Sequence, residues 1–149
     1  MRFKEEFDAV RALVRSAQRP EDAQARVVLY LYENFGDYDW VGIYRLEGTE
    51  LLLGPWQGNA PTEHVRIPAG QGVCGACALS GRTELVPDVS VDPRYLACFS
   101  ETKSEVVVPI TVRGRFWGEI DIDSSTPGAF SPADVEFLEA VAGLLAGML

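Results

Sequence analysis

The stretch Ser104–Ser125, SEVVVPITVRGRFWGEIDIDSS, decides the fold. Two runs rich in β-branched and aromatic residues flank Arg113-Gly114-Arg115, the pattern of an antiparallel hairpin. Side chains alternate across a strand, so Ile120 and Ile122 take one face while Glu119, Asp121 and Asp123 share the other. A three-residue loop at Arg113–Arg115 would set Val112 opposite Phe116 and, counting back, Glu105 opposite Asp123. A two-residue turn would pair Glu105 with Ile122 and disperse the acids. Carboxyls that meet across strands in a buried setting share a proton, and one apparent pKa rises toward neutrality. Left in water, the same row is only an acidic surface.

Upstream of this hairpin, DWVGIYRL and ELLLGPWQG flank the turn residues Glu47, Gly48 and Thr49, and EHVRIP reads as a shorter third strand. Trp40 and Tyr44 lie four apart on the first of these, with Gly42, opposite the face of Val41 and Ile43. If they share a side with the carboxylates, they form an apolar wall beside an acidic floor, suited to a small zwitterion or cation with an apolar end. The glycine-bracketed AGQGVCGACALSGR enters a short helix. ELVPDVSVDPRYLACFSETK is mostly irregular, with a brief strand at Leu85.

Helices frame the strands. Phe3, Phe7, Val10, Val14 and Ala17 recur at helical spacing over residues 2–17. A second helix opens at Pro20, carries Val27, Val28, Leu31 and Phe35, and stops at Asn34–Gly36. Ser131, Pro132 and Asp134 spell a capping box for the last helix, whose buried stripe is Val135, Leu138, Ala142 and Leu145. The order helix, helix, strands with a long loop, helix implies an α+β fold of one domain over residues 1–149. Its central antiparallel sheet carries helices on one face and a loop-covered ligand pocket on the other.

The chain has 149 residues, 47% of them hydrophobic, and a formal net charge of -9. That balance argues against nucleic acid as a partner, since no basic stripe is present to release counterions. No apolar run approaches the roughly 18 residues a membrane span needs, and the N-terminus lacks a signal-like apolar region, so a cytoplasmic chain without membrane contact is expected.

Three cysteines are an odd set. Cys74 and Cys77 form CGAC at a helix start, where the dipole and the neighbouring thiol lower a thiol pKa; as a small apolar residue among alanines, Cys77 also suits simple packing. Cys98 lies in YLACFS. His64, Cys74, Cys77 and Cys98 together would make a zinc set of three thiolates and an imidazole, although only the Cys74–Cys77 half has zinc spacing.

WVGIY, LLLGPWQG, VRIPAGQGVCG, LVPDV, YLACFS, SEVVVPI and GEIDIDSS, in this order, resemble the free methionine-R-sulfoxide reductases, which are built on a GAF domain. The resemblance implies a homodimer by analogy with GAF proteins and no metal or organic cofactor. It implies Cys98 as nucleophile, Cys74 as resolving thiol, and a substrate pocket of Trp40, Tyr44, Glu105, Asp121 and Asp123. Free methionine sulfoxide would pass its oxygen to Cys98, the sulfenic acid would condense with Cys74, and thioredoxin would restore the thiols. Three departures stand out. His64 occupies the position ten before Cys74, where the family commonly has a cysteine. Phe99 follows Cys98 where the family has Asp. Cys77 has no usual counterpart and is the alternative resolving thiol. Glu119 falls where the family has an apolar residue and is left out of the site. The competing reading is a GAF module that binds a small ligand or senses oxidants without turnover.

Overall fold

The computed structural model describes residues 1–96 and 101–149. Helices α1 (Lys4–Ser16) and α2 (Pro20–Asn34) precede strands β1 (Trp40–Glu47), β2 (Glu50–Gly58) and β3 (Arg66–Pro68). Helix α3 (Gly72–Ser80), strand β4 (Glu84–Val86) and a 3-10 turn at Val89–Val91 follow. Strands β5 (Ser104–Val112) and β6 (Arg115–Ser124) and helix α4 (Pro132–Ala146) complete the chain. The six strands form one antiparallel sheet in the order β3-β2-β1-β6-β5-β4, so this is the expected α+β class. The third strand is shorter than EHVRIP suggested, because only Arg66–Pro68 pairs with β2.

One sheet face, with Val41, Ile43, Val106, Val108, Ile110, Ile120 and Ile122, packs on the stripes of α1, α2 and α4. Each of those side chains contributes about 1.5–3 kcal/mol by leaving water. The α4 stripe differs from the one the sequence indicated: Phe137 and Val141 are fully buried alongside Leu138, Ala142 and Leu145, while Val135 is only partly buried. The start of α4 follows the sequence closely: Ser131 Oγ accepts from Asp134 N at 3.3 Å, and Asp134 Oδ2 accepts from Ser131 N at 2.9 Å. The helices are not all on that face, because α3 lies across the other one, over β5 and β6. No helix among the described residues is long and apolar enough to cross a membrane.

The β5–β6 register was anticipated, but by the wrong turn. Arg113 and Gly114 both have positive φ (52° and 77°), giving a two-residue turn that pairs Val112 with Arg115. Between Ile110↔Gly118 and Thr111↔Phe116 the register then slips by one, with Trp117 as the extra residue of a β-bulge. The bulge restores the count, and Glu105 faces Asp123. Next to it, a Cβ on Gly118 would come 2.2 Å from the Tyr44 carbonyl oxygen, so only glycine lets β1 and β6 approach that closely.

Candidate active site

Alternation and register place the acids of β6 at the centre of the second sheet face. Asp123 lies between Trp40 of β1 and Glu105 of β5; Asp121 lies between Gly42 and Val107; Glu119 lies between Tyr44 and Pro109. The wall and the floor therefore share a side. Trp40 and Tyr44 are buried, as are Glu105, Glu119, Asp121 and Asp123, none of which exceeds 4% exposure. Helix α3 brings Cys74 and Cys77 down onto this row.

Burial without water to solvate charge dominates the electrostatics. It pushes Asp123 well above the usual carboxylate range, helped by the charge of Asp121 and opposed by Glu105, which engages it. Asp121 is raised by burial too, while Glu105, the Cys74 thiol and the charge of His64 pull it back. Burial likewise lifts Glu119 well above its ordinary value, with the thiols of Cys74 and Cys77 opposing and the charge of Asp121 adding. Oδ1 of Asp121, Oδ1 of Asp123 and both oxygens of Glu119 are buried without a regular hydrogen bond among the described residues. Such a row is stable only while it holds protons or a cation.

The thiols depart from expectation. The helix-terminus argument predicts lowered pKa values, yet burial raises both Cys74 and Cys77, and the charges of Asp121, Glu119 and Glu105 raise Cys74 further. A helix end is worth fractions of a kcal/mol at a solvated position, and three buried acids outweigh it. Cys74 and Cys77 are free thiols at rest. Cys98, one of the four residues of the zinc set read from the sequence, lies outside the described residues. Cys74 groups with Glu105 and Asp121, one ligand atom from each lying within 4.8 Å of the others. His64 stays near enough to act on Asp121, and its carbonyl accepts a hydrogen bond of 2.8 Å from Tyr44 Oη, which ties the β2–β3 loop to the pocket.

Two cavities flank the acid row. A small one of about 10 Å³ is bounded by Cys74, Glu105, Asp121 and Leu96. A larger one of about 310 Å³ opens between Trp40 and Asp123, and is lined also by Asp39, Asn59, Thr102 and Ser125. That volume falls in the range of small-ligand sites. The sequence reading missed this rim. Its one local signal was Asp39 beside Trp40: Asp39 Oδ2 accepts from Ser125 N at 2.6 Å and Ser125 Oγ at 2.7 Å, joining the ends of β1 and β6. It also missed what seats the indole. Trp40 stacks on Trp56 at 6.3 Å and lies across Gly42 and Gly58, where an added Cβ would sit 2.3 Å and 2.4 Å from ring atoms.

A row of buried acids beside an aromatic wall and a thiol can hold a cationic head, enclose an apolar tail and deliver a proton. The GAF domain model matches residues 19–149. The chain is 38% identical over 119 residues to the free methionine-R-sulfoxide reductase of Escherichia coli (strain K12), covering 80% of this chain and 71% of the relative. A free methionine-R-sulfoxide reductase from Neisseria meningitidis, solved in complex with its substrate, superposes with a TM-score of 0.92 at 34% identity, covering 98% of this chain and 87% of that one. The type II free methionine-R-sulfoxide reductase from Thermoplasma acidophilum gives 0.82 at 39% identity, covering 93% and 94%.

Proposed function

Since the chain belongs to the GAF-domain family and, within it, to the free methionine-R-sulfoxide reductases, we propose that it reduces free L-methionine-(R)-S-oxide to methionine with a cysteine nucleophile. The observation that carries the reading is the buried row of Glu105, Asp123 and Asp121 against Trp40 and Tyr44. The row grips the substrate ammonium, which supplies the cation the acids need. Trp40 and Tyr44 enclose the methyl end. A member of the row that keeps its proton gives it to the sulfoxide oxygen, an acid role that raised carboxyl pKa values suit.

The Cys98 thiolate attacks the substrate sulfur. The S–O bond breaks, methionine leaves, and the oxygen stays on Cys98 as a sulfenic acid. The Cys74 thiol then condenses with that sulfenic acid, forming a disulfide and releasing water. Thioredoxin-type dithiol reduces the disulfide by two electrons and returns both thiols. Cys77, likewise buried, is the alternative partner for Cys98. A cytoplasmic setting suits a chain whose thiols must be returned to the reduced state. A homodimer rests on the analogy with GAF proteins, and sedimentation of the purified chain tests it.

The proposal is tested by thioredoxin-coupled turnover on separated epimers of free methionine sulfoxide. Consumption of the R epimer, not the S epimer, with loss of activity in Cys98→Ser, is the expected result. Turnover surviving Cys98→Ser removes that residue from the role, and a ligand retained without turnover favours the sensing module.

A further inference from the structure

We infer that Cys74, Glu105 and Asp121 form a binding site for one Zn²⁺ ion, at which the metal competes with the substrate ammonium and withdraws Cys74 from disulfide formation. The ligand atoms come from α3, β5 and β6 and lie within 4.8 Å of one another. Zinc bonds of about 2.0–2.3 Å put tetrahedral ligands roughly 3.3–3.8 Å apart, so the three need draw in by at most about 1.5 Å. They line a cavity of about 10 Å³ that accepts a single water-sized occupant.

A second observation points into the same space. Asp121 is 2% exposed and lines that cavity, and its Oδ1 has no hydrogen-bond partner among the described residues, although Glu105 and the Cys74 thiol interact with the carboxyl. A carboxylate oxygen left so far from water is stabilised by a proton or a cation. The donor set chooses the cation. A thiolate with two carboxylates is too soft and too few-toothed for Mg²⁺ or Ca²⁺, which take six or more oxygens, and suits Zn²⁺ with a water in the fourth position. Binding exchanges the Cys74 proton, and those the two acids hold, for the dication, so it strengthens as pH rises.

Binding itself stands apart from the proposed activity; only the consequence for turnover rests on it. The probe is ZnCl₂ titrated into the reduced, chelator-washed full chain against a chromophoric zinc chelator, with no sulfoxide present. One equivalent is expected to bind. Cys74→Ser and Asp121→Asn should each weaken it at least tenfold, while Cys98→Ser keeps it. Free methionine sulfoxide should release the ion from Cys98→Ser, in which no disulfide can form through Cys98. Co²⁺ in place of Zn²⁺ should give a thiolate charge-transfer band that Cys74→Ser abolishes and Glu105→Gln shifts, which reports on the site even where a variant is partly destabilised. No stoichiometric binding overturns the inference. So does binding that survives Cys74→Ser, or that depends on Cys98 alone. A chain that binds zinc but does not turn over sulfoxide would sink the proposed activity and leave this site standing; the reverse result would sink only the site.

Discussion

Replacing Glu119 with Gln removes one buried carboxyl and leaves a neutral side chain of the same shape. Glu119 is fully buried, and burial raises its pKa above the unfolded value. A raised carboxyl contributes its stability below the unfolded pKa of about 4.3 and loses it as pH climbs through the folded value. A carboxyl whose folded pKa lies above its unfolded one costs about 1.36 kcal/mol for each pH unit between the two values. For a domain of this size that is about 3–5 °C in Tm per pH unit. Thermal melts of the chelator-washed chain at pH 5, 6 and 7 should therefore show the wild type losing stability with pH faster than Glu119→Gln. The two should be close at pH 5, and the gap should reach several degrees at pH 7. Parallel curves across the range would refute the reasoning, because they would mean that Glu119 binds no more protons in the fold than in the unfolded chain.

Asp121→Asn removes the charge that helps hold Asp123 up. Its kcat/KM should fall roughly 10- to 100-fold, from one lost charged hydrogen bond of about 1.5–3 kcal/mol, and the alkaline limb of its pH profile, set by the proton donor, should move to lower pH. Steady-state rates between pH 4 and 8 check both. Gly42→Ala places a methyl 2.3 Å from Cη2 of Trp40, and overpacking of about 1–3 kcal/mol should raise KM roughly 5- to 100-fold with kcat changed less. Ser131→Ala removes the α4 cap and should lower Tm by about 2–4 °C without altering KM, as read by melts and initial rates.

The sequence carried the site further than it carried the reasons for it. Alternation made the shared face of the acids legible, while Glu105 opposite Asp123 was one of two registers left open and was tied to a loop the chain does not have. The bulge at Trp117 was not legible, since nothing in RFWGEI distinguishes a three-residue loop from a two-residue turn followed by an extra residue. The direction of the thiol shifts was misread because local rules see a helix end and not the acids that tertiary packing brings beneath it. Glu119 was set aside because the resembling family has an apolar residue there; its position on the strand was plain, and its contact with α3 was not. Gly42 could have been found, because a glycine beside a tryptophan in a strand marks a place where a ring needs room. The rim residues Asn59 and Thr102 come from loops whose course no periodicity encodes.

The central claim is that the buried acid row recognises a free ammonium group. Turnover of free L-methionine-(R)-S-oxide compared with its N-acetyl derivative tests it most directly, since acetylation removes the charge and leaves the sulfoxide intact. A fall in kcat/KM of about 100-fold or more for the acetylated compound is the predicted result. Comparable rates on the two would contradict the account.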